Sequence, residues 1–258
     1  MLQTRVIPCL LLRDGALVKT VRFKNGRYIG DPVNTVRIFN ELEVDELIVL
    51  DIRATIEGRE PDFSLLAEIA DECFMPLAYG GGVSSLLDAE RIFKIGVEKV
   101  IINTSAVRAP QLIGQIAEVF GSQSLIVSID VKRTWRGREV VHTHGGTVKT
   151  GKDPVAWAIE VQSLGAGEIM LTDIDREGTW RGIDTKLIRS VAEAVSVPLI
   201  AHGGCASIAD IEAAVKIGHA SAVGVGSMVV YQGKGMGVLV NFPDQSRLRE
   251  TLKGHEHG

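Results

Sequence analysis

The sequence has few residues of the kinds that build disulfide frameworks or metal sites. Only three of its 258 residues are cysteines, Cys9, Cys73 and Cys205, and they lack the close spacing of metal-binding pairs. An odd number of widely spaced cysteines also argues against a disulfide framework. We therefore interpret each cysteine as part of the core or of a site lining, expect neither a metal nor a cofactor, and predict a reduced, cytoplasmic protein.

An excess of positive charge and a long apolar segment are also absent. The formal net charge is −4, which argues against a nucleic-acid partner. Arg5 interrupts the first apolar run and no long uncharged run follows, so we predict no signal peptide and no membrane partner. The apolar content of 45% is sufficient for a large core. A chain of 258 residues also matches the length of about 250 that is typical of a single (β/α)8 barrel domain.

One stretch of the sequence occurs twice. The first copy is Met75-Pro-Leu-Ala-Tyr-Gly-Gly-Gly82 and the second is Val197-Pro-Leu-Ile-Ala-His-Gly-Gly204. The positions that match at one offset of 122 are Pro76/Pro198, Leu77/Leu199, Gly81/Gly203, Gly82/Gly204, Ser85/Ser207, Ile95/Ile217 and Ser105/Ser227. Because this period is nearly half the chain, it indicates a duplicated half-domain, with halves at about 1–122 and 123–258.

Eight apolar runs alternate with helical patterns, which predicts a (β/α)8 TIM barrel with a two-fold half-barrel repeat. The runs are 5–12, 46–52, 76–79, 99–102, 125–131, 168–172, 198–201 and 222–225. Their almost continuous hydrophobicity is typical of parallel strands that are buried on both faces. Asp31-Pro32 and Asp153-Pro154 are typical helix starts.

Two long connections, 14–30 and 132–152, follow the first and fifth runs. In a barrel both lie on the C-terminal face, where active sites are built. The segment 14–30 is either a mobile lid or a plain surface excursion.

The glycine turn of each copy suggests an anion site. Such a turn lets backbone N–H groups approach a phosphate, and a helix start beside it adds a favourable dipole. Two copies in register therefore suggest two phosphate sites on one face. The alternative is that the glycines only form tight turns between strand and helix.

Polar residues at strand ends are the candidates for chemistry. Asp130 follows an apolar run, so we expect it at the barrel mouth with a raised pKa, suited to proton transfer, unless it pairs with Lys132 or Lys19. Asp51 and Asp173 lie 122 apart at similar strand ends, and a loop-fixing role is as plausible for them as a catalytic one. Lys19 could bind an anion or be a solvated lysine.

Charged residues also stand at the opposite ends of four strands. Arg5, Glu46, Lys99 and Glu168 begin the first, second, fourth and sixth runs, and Glu46 and Glu168 are again 122 apart. Strand starts meet at the N-terminal face, so we predict a ring of alternating charges across the lower opening of the barrel. Such a ring by itself indicates stability.

Many short motifs of the chain resemble the cyclase subunit of imidazole glycerol phosphate synthase. They are Ile7-Pro-Cys-Leu10, Asp14-Gly15, Lys19, Gly30-Asp-Pro32, Asp45-Glu-Leu47, Leu50-Asp-Ile52, Gly80-Gly-Gly82, Lys99-Val100, Ile102-Asn-Thr104, Phe120-Gly-Ser122, Ile129-Asp130, Gly165-Ala-Gly-Glu-Ile169, Thr172, Asp175-Arg176 and Gly178-Thr179. The resemblance implies a barrel that forms a heterodimer with a class I glutaminase. Ammonia from this partner passes through the barrel and reacts with a bisphosphorylated ribulosyl substrate.

The resemblance also implies roles for individual residues. Arg5, Glu46, Lys99 and Glu168 correspond to a charged ammonia gate. Gly82, Asn103 and Thr104 correspond to one phosphate site, and Gly204, Gly226 and Ser227 to the other. Asp130 corresponds to one of two catalytic aspartates, and the expected substrate-binding residues include Lys19, Asp51, Thr172 and Asp175.

The second catalytic aspartate of that family is missing. Leu11 stands where the family has a carboxylate, directly after Pro8-Cys-Leu10. Leucine can act neither as acid nor as base, so we predict that cyclisation is severely weakened, whereas phosphate binding and ammonia passage could survive. In a rival hypothesis, Asp14 or Asp51 replaces the missing acid and the chain is a working enzyme of histidine biosynthesis.

Other departures from the family lie close to the expected site. Glu177 replaces the usual aspartate, and His202 stands where a small hydroxyl residue is usual, either as a satisfied strand histidine or as a substrate contact. The altered sequence after Ser227, together with the missing aspartate at Leu11, resembles a paralogous branch that supplies ammonia for sugar amidation in surface polysaccharides. A third hypothesis is a phosphosugar-binding module or isomerase without a partner.

Overall fold

The computed structural model describes residues 4–252, and strands and helices alternate through most of this range. The strands are β1 Arg5–Arg13, β2 Ala16–Val21, β3 Lys24–Gly30, β4 Leu47–Asp51, β5 Leu77–Gly80, β6 Lys99–Ile102, β7 Leu125–Arg133, β8 Glu139–Thr143, β9 Val148–Lys149, β10 Glu168–Asp173, β11 Leu199–His202 and β12 Ala222–Val225. The α-helices are α1 Pro32–Glu41, α2 Ala54–Glu57, α3 Phe63–Glu72, α4 Leu86–Ile95, α5 Thr104–Arg108, α6 Gln111–Phe120, α7 Pro154–Ser163, α8 Thr185–Ala192, α9 Ile208–Lys216, α10 Ser227–Val230 and α11 Gln245–Leu252. One turn of 3-10 helix covers Ser122–Ser124.

Eight of the strands form a closed parallel barrel. Their order around the barrel is β1, β4, β5, β6, β7, β10, β11 and β12, and β12 pairs with β1 to close it. Each of the eight apolar runs in the sequence forms one of these strands, with ends that differ by at most two residues. The prediction of a (β/α)8 TIM barrel is confirmed.

Side chains alternate along the barrel strands between two hydrophobic clusters. On β1, Val6 and Leu10 face outward toward the helices, whereas Ile7 and Cys9 face the lumen. This alternation follows from the two-residue period of a β-strand. The side chains that face the lumen form one apolar cluster of Ile7, Cys9, Ile48, Ala78, Ile101, Ile126, Met170, Ile200 and Ala222.

The helix starts form as the sequence predicts. The Asp31 and Asp153 side chains each cap a helix that begins with proline. Ser85 accepts a hydrogen bond from the Asp88 amide, and the Asp88 carboxylate accepts one from the Ser85 amide, which completes a capping box. These caps hold the first turns of helices that surround the barrel.

The repeated glycine turns have the same geometry in both copies. A Cβ atom on Gly81 would lie 2.3 Å from the Asp51 carbonyl oxygen, and one on Gly203 would lie 2.6 Å from the Asp173 carbonyl oxygen. Both glycines also have positive φ angles, of 116° and 101°. Only glycine fits this backbone approach without a shift of the chain, so each turn requires its glycine even when no anion is bound.

Both long connections form antiparallel hairpins on the C-terminal side of the barrel. β1 continues past the rim and pairs with β2, which pairs with β3. β7 likewise extends and pairs with β8. The sequence analysis identified both segments as connections but did not predict their strands.

Candidate functional site

The four charged strand starts form a ring of ion pairs, here called the charge ring. Arg5 contacts the carboxylates of Glu46 and Glu168. Lys99 Nζ lies 2.9 Å from Glu46 Oε1 and 2.9 Å from Glu168 Oε2. Each cation therefore bridges both carboxylates, and the predicted alternation of charge around the lower opening is confirmed.

A large cavity of about 460 Å³ opens at the other end of the barrel. The two-residue strand period places it directly above the charge ring and the lumen. On β10, for example, Glu168 belongs to the ring, Met170 to the lumen cluster and Thr172 to the cavity lining. Leu11 and Asp130 both line the large cavity.

Asp130 lies on β7 at the C-terminal mouth of the barrel, before the part of the strand that extends into the hairpin, and it is buried. The Ser128 hydroxyl donates a hydrogen bond to Asp130 Oδ1 over 3.1 Å. Burial raises the pKa of Asp130 to about 7, although hydrogen bonds from Ser128 and Thr172 oppose this rise. Within the described residues Asp130 has no ion pair with Lys132 or Lys19. A carboxyl that titrates near neutral pH can both donate and accept a proton.

The wall that Leu11 contributes to the large cavity is apolar. Leu11 pairs in register with Leu50 of β4, and both side chains line the cavity. Asp51 also reaches the lining, but its Oδ1 accepts hydrogen bonds from the Arg53 and Ala54 amides, each over 2.9 Å. The carboxylate of Asp51 therefore fixes the loop after β4.

Asp14 does not reach the large cavity. It lies in the turn between β1 and β2, with 69% of its side chain exposed and its carboxylate 3.3 Å from Arg13 Nε. The geometry thus gives neither of the rival replacement acids a free carboxylate opposite Asp130.

The residues of the first predicted phosphate site, Gly82, Asn103 and Thr104, all line the large cavity, and we call them the first cradle. The Asn103 amide group donates to the Ser128 carbonyl oxygen over 2.9 Å. The Thr104 hydroxyl accepts a hydrogen bond from the His144 amide over 3.0 Å. These contacts hold the first cradle in place beside open space.

The residues of the second predicted phosphate site, Gly204, Gly226 and Ser227, have different surroundings, and we call them the second cradle. They line a small cavity of about 10 Å³ together with Lys19, Glu177 and His202. The Lys19 ammonium forms a buried ion pair with Glu177. Lys19 is therefore neither solvated nor free to bind an anion.

His202 lies between the two cavities and lines both. Its Nδ1 is 3.2 Å from the Thr172 hydroxyl oxygen. Burial, and then the nearby charge of Lys19, lower the pKa of His202 to about 3, so the imidazole is neutral at physiological pH. Of the two interpretations of this histidine, the contact with Thr172 fits a satisfied strand residue, while its position leaves it in reach of a ligand.

The remaining predicted binding residue, Asp175, lines neither cavity. Its carboxylate accepts a hydrogen bond from the Arg133 amide over 2.9 Å, which ties the loop after β10 to β7. Every other predicted catalytic or binding residue lines one of the two cavities.

Several residues that line the large cavity were not predicted from the sequence. The side chains of Arg13, Lys24 and Arg53 bring positive charge to the large cavity. Ser128 contacts the candidate acid directly. Ser128 stands two residues before Asp130 on one strand, and this spacing was the available signal because it places both side chains on the same face. The cations come from loops and a hairpin, where no periodic pattern marks them.

The three cysteines are free thiols within the described part of the chain. Cys9 belongs to the lumen cluster and Cys205 lines the small cavity. Burial raises the pKa of Cys205 to about 12 and that of Cys73 to about 11. Neither of these two is a thiolate at neutral pH, which fits their interpretation as core or lining residues.

The raised pKa of Asp130 predicts a pH-dependent stability. The folded chain holds a proton on Asp130 up to about pH 7, whereas the unfolded chain releases it near the ordinary aspartate pKa of 3.8. The stability from this proton is therefore complete below about pH 4 and is lost as the pH rises through 7. We expect Asp130→Asn to gain about 2–3 kcal/mol over the parent chain between pH 5 and pH 8.5, measured by urea unfolding.

A matched control for this measurement is Asp31→Asn, at an exposed helix cap. It should follow the parent chain at both pH values. Equal pH dependence in the parent and in Asp130→Asn would show that Asp130 does not hold this proton.

Among the helices of residues 4–252, none is both long enough and apolar enough to cross a bilayer. The sequence model of the family described as "Histidine biosynthesis protein" matches residues 5–235.

Three relatives match almost the whole chain, and each is named as a candidate subunit of imidazole glycerol phosphate synthase. The hisF2 protein of Pseudomonas aeruginosa is 49% identical over 96% of this chain and 99% of its own. The HisF protein of Leptospira interrogans is 44% identical over 95% and 97%, respectively. The hisF3 protein of Vibrio vulnificus is 44% identical over 98% of both chains. This chain therefore belongs to the histidine biosynthesis protein family, among the HisF-like cyclase subunits of imidazole glycerol phosphate synthase.

Proposed function

We propose that this chain receives ammonia from a class I glutaminase and conducts it through the barrel, while its own cyclase reaction is crippled. The observation that carries the proposal is the apolar wall of Leu11 and Leu50 in the large cavity that also contains Asp130. Ring closure on a ribulosyl substrate needs an acid and a base on opposite sides of that substrate. Asp130 can supply one of them, and Leu11 supplies neither.

The other carboxylates near this cavity are engaged in contacts that hold the fold. Asp51 accepts two loop amides, and Glu177 is paired with Lys19. Loss of general acid–base help typically lowers a rate by about 10²–10⁴-fold. The remaining barrel would still bind a phosphorylated ligand at the first cradle, in the cavity that Arg13, Lys24 and Arg53 also line.

The charge ring supports the role as a conduit. It lies at the N-terminal face, where the partner glutaminase would dock, and it leads into the apolar lumen. Four ion pairs close the ring in this structure, so ammonia could enter only when one cation moves away from a carboxylate. Lys99 is suited to this movement because its flexible stem ends in a single ammonium.

We further propose that the ammonia serves a separate amidotransferase that acts on a sugar of a surface polysaccharide. The missing carboxylate at Leu11, the exchange at Glu177 and the altered sequence after Ser227 support this paralogous role over histidine biosynthesis. The alternative is a working cyclase of histidine biosynthesis, and the printed names of the relatives support it.

Complementation of a cyclase-deficient bacterial strain distinguishes these two functions. We expect no growth without histidine when the strain carries this chain, and normal growth when it carries an ordinary cyclase. In its native cells, which contain its own glutaminase, a tagged copy of the chain should co-purify with that glutaminase. Growth on medium without histidine would reject the crippled-cyclase proposal, and purification without any glutaminase would reject the conduit.

A further inference from the structure

We infer that the second cradle is closed by the ion pair of Lys19 and Glu177, so that the large cavity accepts a ligand with one phosphate group. This inference rests on the proposed function, in which the large cavity binds a phosphorylated molecule. The ligand expected for this chain is then monophosphorylated, in contrast to the bisphosphorylated ribulosyl substrate that the family resemblance implies.

The two cradles have the same origin in sequence but different space beside them. Gly82 and Gly204 occupy equivalent positions at the offset of 122, and both have positive φ angles, of 75° and 98°. The first cradle faces a cavity of about 460 Å³, whereas the cavity at the second is only about 10 Å³. The free space beside the second cradle is about that of a single water molecule, so a phosphate group would fit there only if neighbouring side chains moved.

Side chains of this protein occupy the space that a second phosphate would need. A Cβ atom on Gly226 would lie 3.0 Å from Lys19 Cε, so the lysine stem lies directly on the turn of the second cradle. The Lys19 ammonium contacts Glu177, and both side chains are buried, with 6% and 2% exposed. The His202 imidazole completes the lining beside them.

Glu177 is held by further contacts from the hairpin of β2 and β3. The Thr20 hydroxyl donates to Glu177 Oε2 over 3.0 Å, and the Phe23 amide donates to the same oxygen over 3.2 Å. The Arg22 amide also donates to the Glu177 carbonyl oxygen over 2.9 Å. A phosphate at the second cradle would have to displace the Glu177 carboxylate, which is also negatively charged, from the hydrogen-bond donors of Thr20 and Phe23.

The contacts of Glu177 also hold the hairpin of β2 and β3 in place. Gly178 follows the clamped residue, and a Cβ atom there would lie 2.3 Å from the Thr20 carbonyl oxygen. The hairpin thus rests on the loop after β10 through side-chain and backbone contacts together. Of the two interpretations of segment 14–30, these contacts favour a fixed surface excursion over a mobile lid, and they hold this segment against the second cradle.

Charge is distributed unequally between the two cavities. Arg13, Lys24 and Arg53 line the large cavity, and none of them lines the small one. In the small cavity, Glu177 neutralises Lys19, and His202 is neutral. A phosphate therefore meets cations outside a buried ion pair only in the large cavity, which Asp51 and Asp130 also line. The rest of its ligand meets the apolar walls formed by Leu11 and Leu50.

Titration calorimetry with defined phosphates tests the inference. The probes are inorganic phosphate, ribose 5-phosphate and ribulose 1,5-bisphosphate. We expect inorganic phosphate to bind with a stoichiometry of one, and the bisphosphate to bind within about threefold of the monophosphate, because only one of its phosphates is recognised. A stoichiometry of two, a bisphosphate that binds tenfold tighter or more, or no binding of any probe would overturn the inference.

Matched variants assign the site that is used. Thr104→Val at the first cradle should weaken ribose 5-phosphate binding tenfold or more, because the hydroxyl is lost at nearly constant volume. Ser227→Ala, at the equivalent start of α10, should leave the affinity within twofold of the parent chain. The reverse pattern would contradict the inference.

Glu177→Gln provides a gain of binding. Without a carboxylate partner, the Lys19 side chain can move off the turn at Gly226 and pair with a phosphate instead, and we expect the phosphate stoichiometry to rise to two. An unchanged stoichiometry in a folded Glu177→Gln protein would show that the ion pair does not close the second cradle. If this variant fails to fold, the Ser227→Ala result and the bisphosphate comparison still decide.

The outcome is separate from that of the complementation test. Growth without histidine, together with a stoichiometry of one, would reject the crippled cyclase and leave the closed cradle in place. No growth, together with a stoichiometry of two, would support the crippled cyclase and reject the closed cradle.

Discussion

Leu11→Asp should raise the rate of imidazole glycerol phosphate formation from ammonia and the ribulosyl bisphosphate substrate by about 10²–10⁴-fold. The substitution places a carboxylate in the large cavity with Asp130, so that both sides of a substrate would have a proton-handling group. The measurement is product formation by purified chain with saturating substrate and saturating ammonium salt. Saturating substrate offsets the recognition of only one of its phosphates, and the ammonium salt removes any need for the glutaminase.

Leu50→Asp is the matched control for this experiment. Leu50 is the register partner of Leu11 and lines the same cavity, so the variant adds the same charge one strand away. We expect it to leave the rate near that of the parent chain. Adding Asp130→Asn to Leu11→Asp should abolish the gain. A parent chain that already turns over at the rate of an ordinary cyclase, or equal gains from both leucine sites, would contradict the proposed role of Leu11.

Lys99→Glu should lower the free energy of unfolding by about 3–5 kcal/mol. Lys99 bridges Glu46 and Glu168 at 2.9 Å each, and its side chain is only 19% exposed. Reversing its charge places three carboxylates around Arg5 and leaves them poorly hydrated. Urea unfolding measures the loss. We also expect loss of co-purification with the glutaminase, because the ring lies on the proposed docking face.

Lys94→Glu serves as the matched control, since Lys94 forms an exposed pair with Glu90 one helical turn away. Exposed pairs of this kind contribute about 0.3–0.5 kcal/mol, so this variant should stay close to the parent chain in stability and in partner binding. Similar small losses in both variants would mean that the charge ring contributes no more than a surface ion pair. Lys99→Arg, which keeps the charge, should retain most of the stability.

The sequence allowed the barrel and its polar layers to be predicted because both depend on local patterns. Apolar runs bounded by turns marked the eight strands, and charged residues at their starts marked the charge ring. Asp130 was identified as a buried strand-end acid, and the structure gives its carboxyl the expected raised pKa. Each of these features can be seen within a few residues of the chain.

The state of the second cradle could not be predicted in the same way. The ion pair that fills it joins Lys19 and Glu177, which are 158 residues apart. Each residue alone fitted a family motif or a conservative exchange, and only the fold brings them together. The hairpins also escaped prediction because a segment such as Lys24–Gly30 is polar and glycine-containing, and lacks the alternation that marks a half-buried strand.

The apolar side chains of the lumen limit which molecules could pass through this barrel. Ile7, Ile48 and Ile126 form part of a layer whose hydrocarbon atoms offer a dehydrated ion no substitute for its hydration shell. Moving an ammonium-sized cation from water into such a medium carries an idealised cost of the order of 20 kcal/mol. Neutral ammonia avoids that barrier. Under the proposed function, any ammonium ion would therefore have to lose its proton before it passes the charge ring. The barrel would then admit the neutral molecule and exclude the cation, and the apolar isoleucine side chains would be the cause of this selectivity.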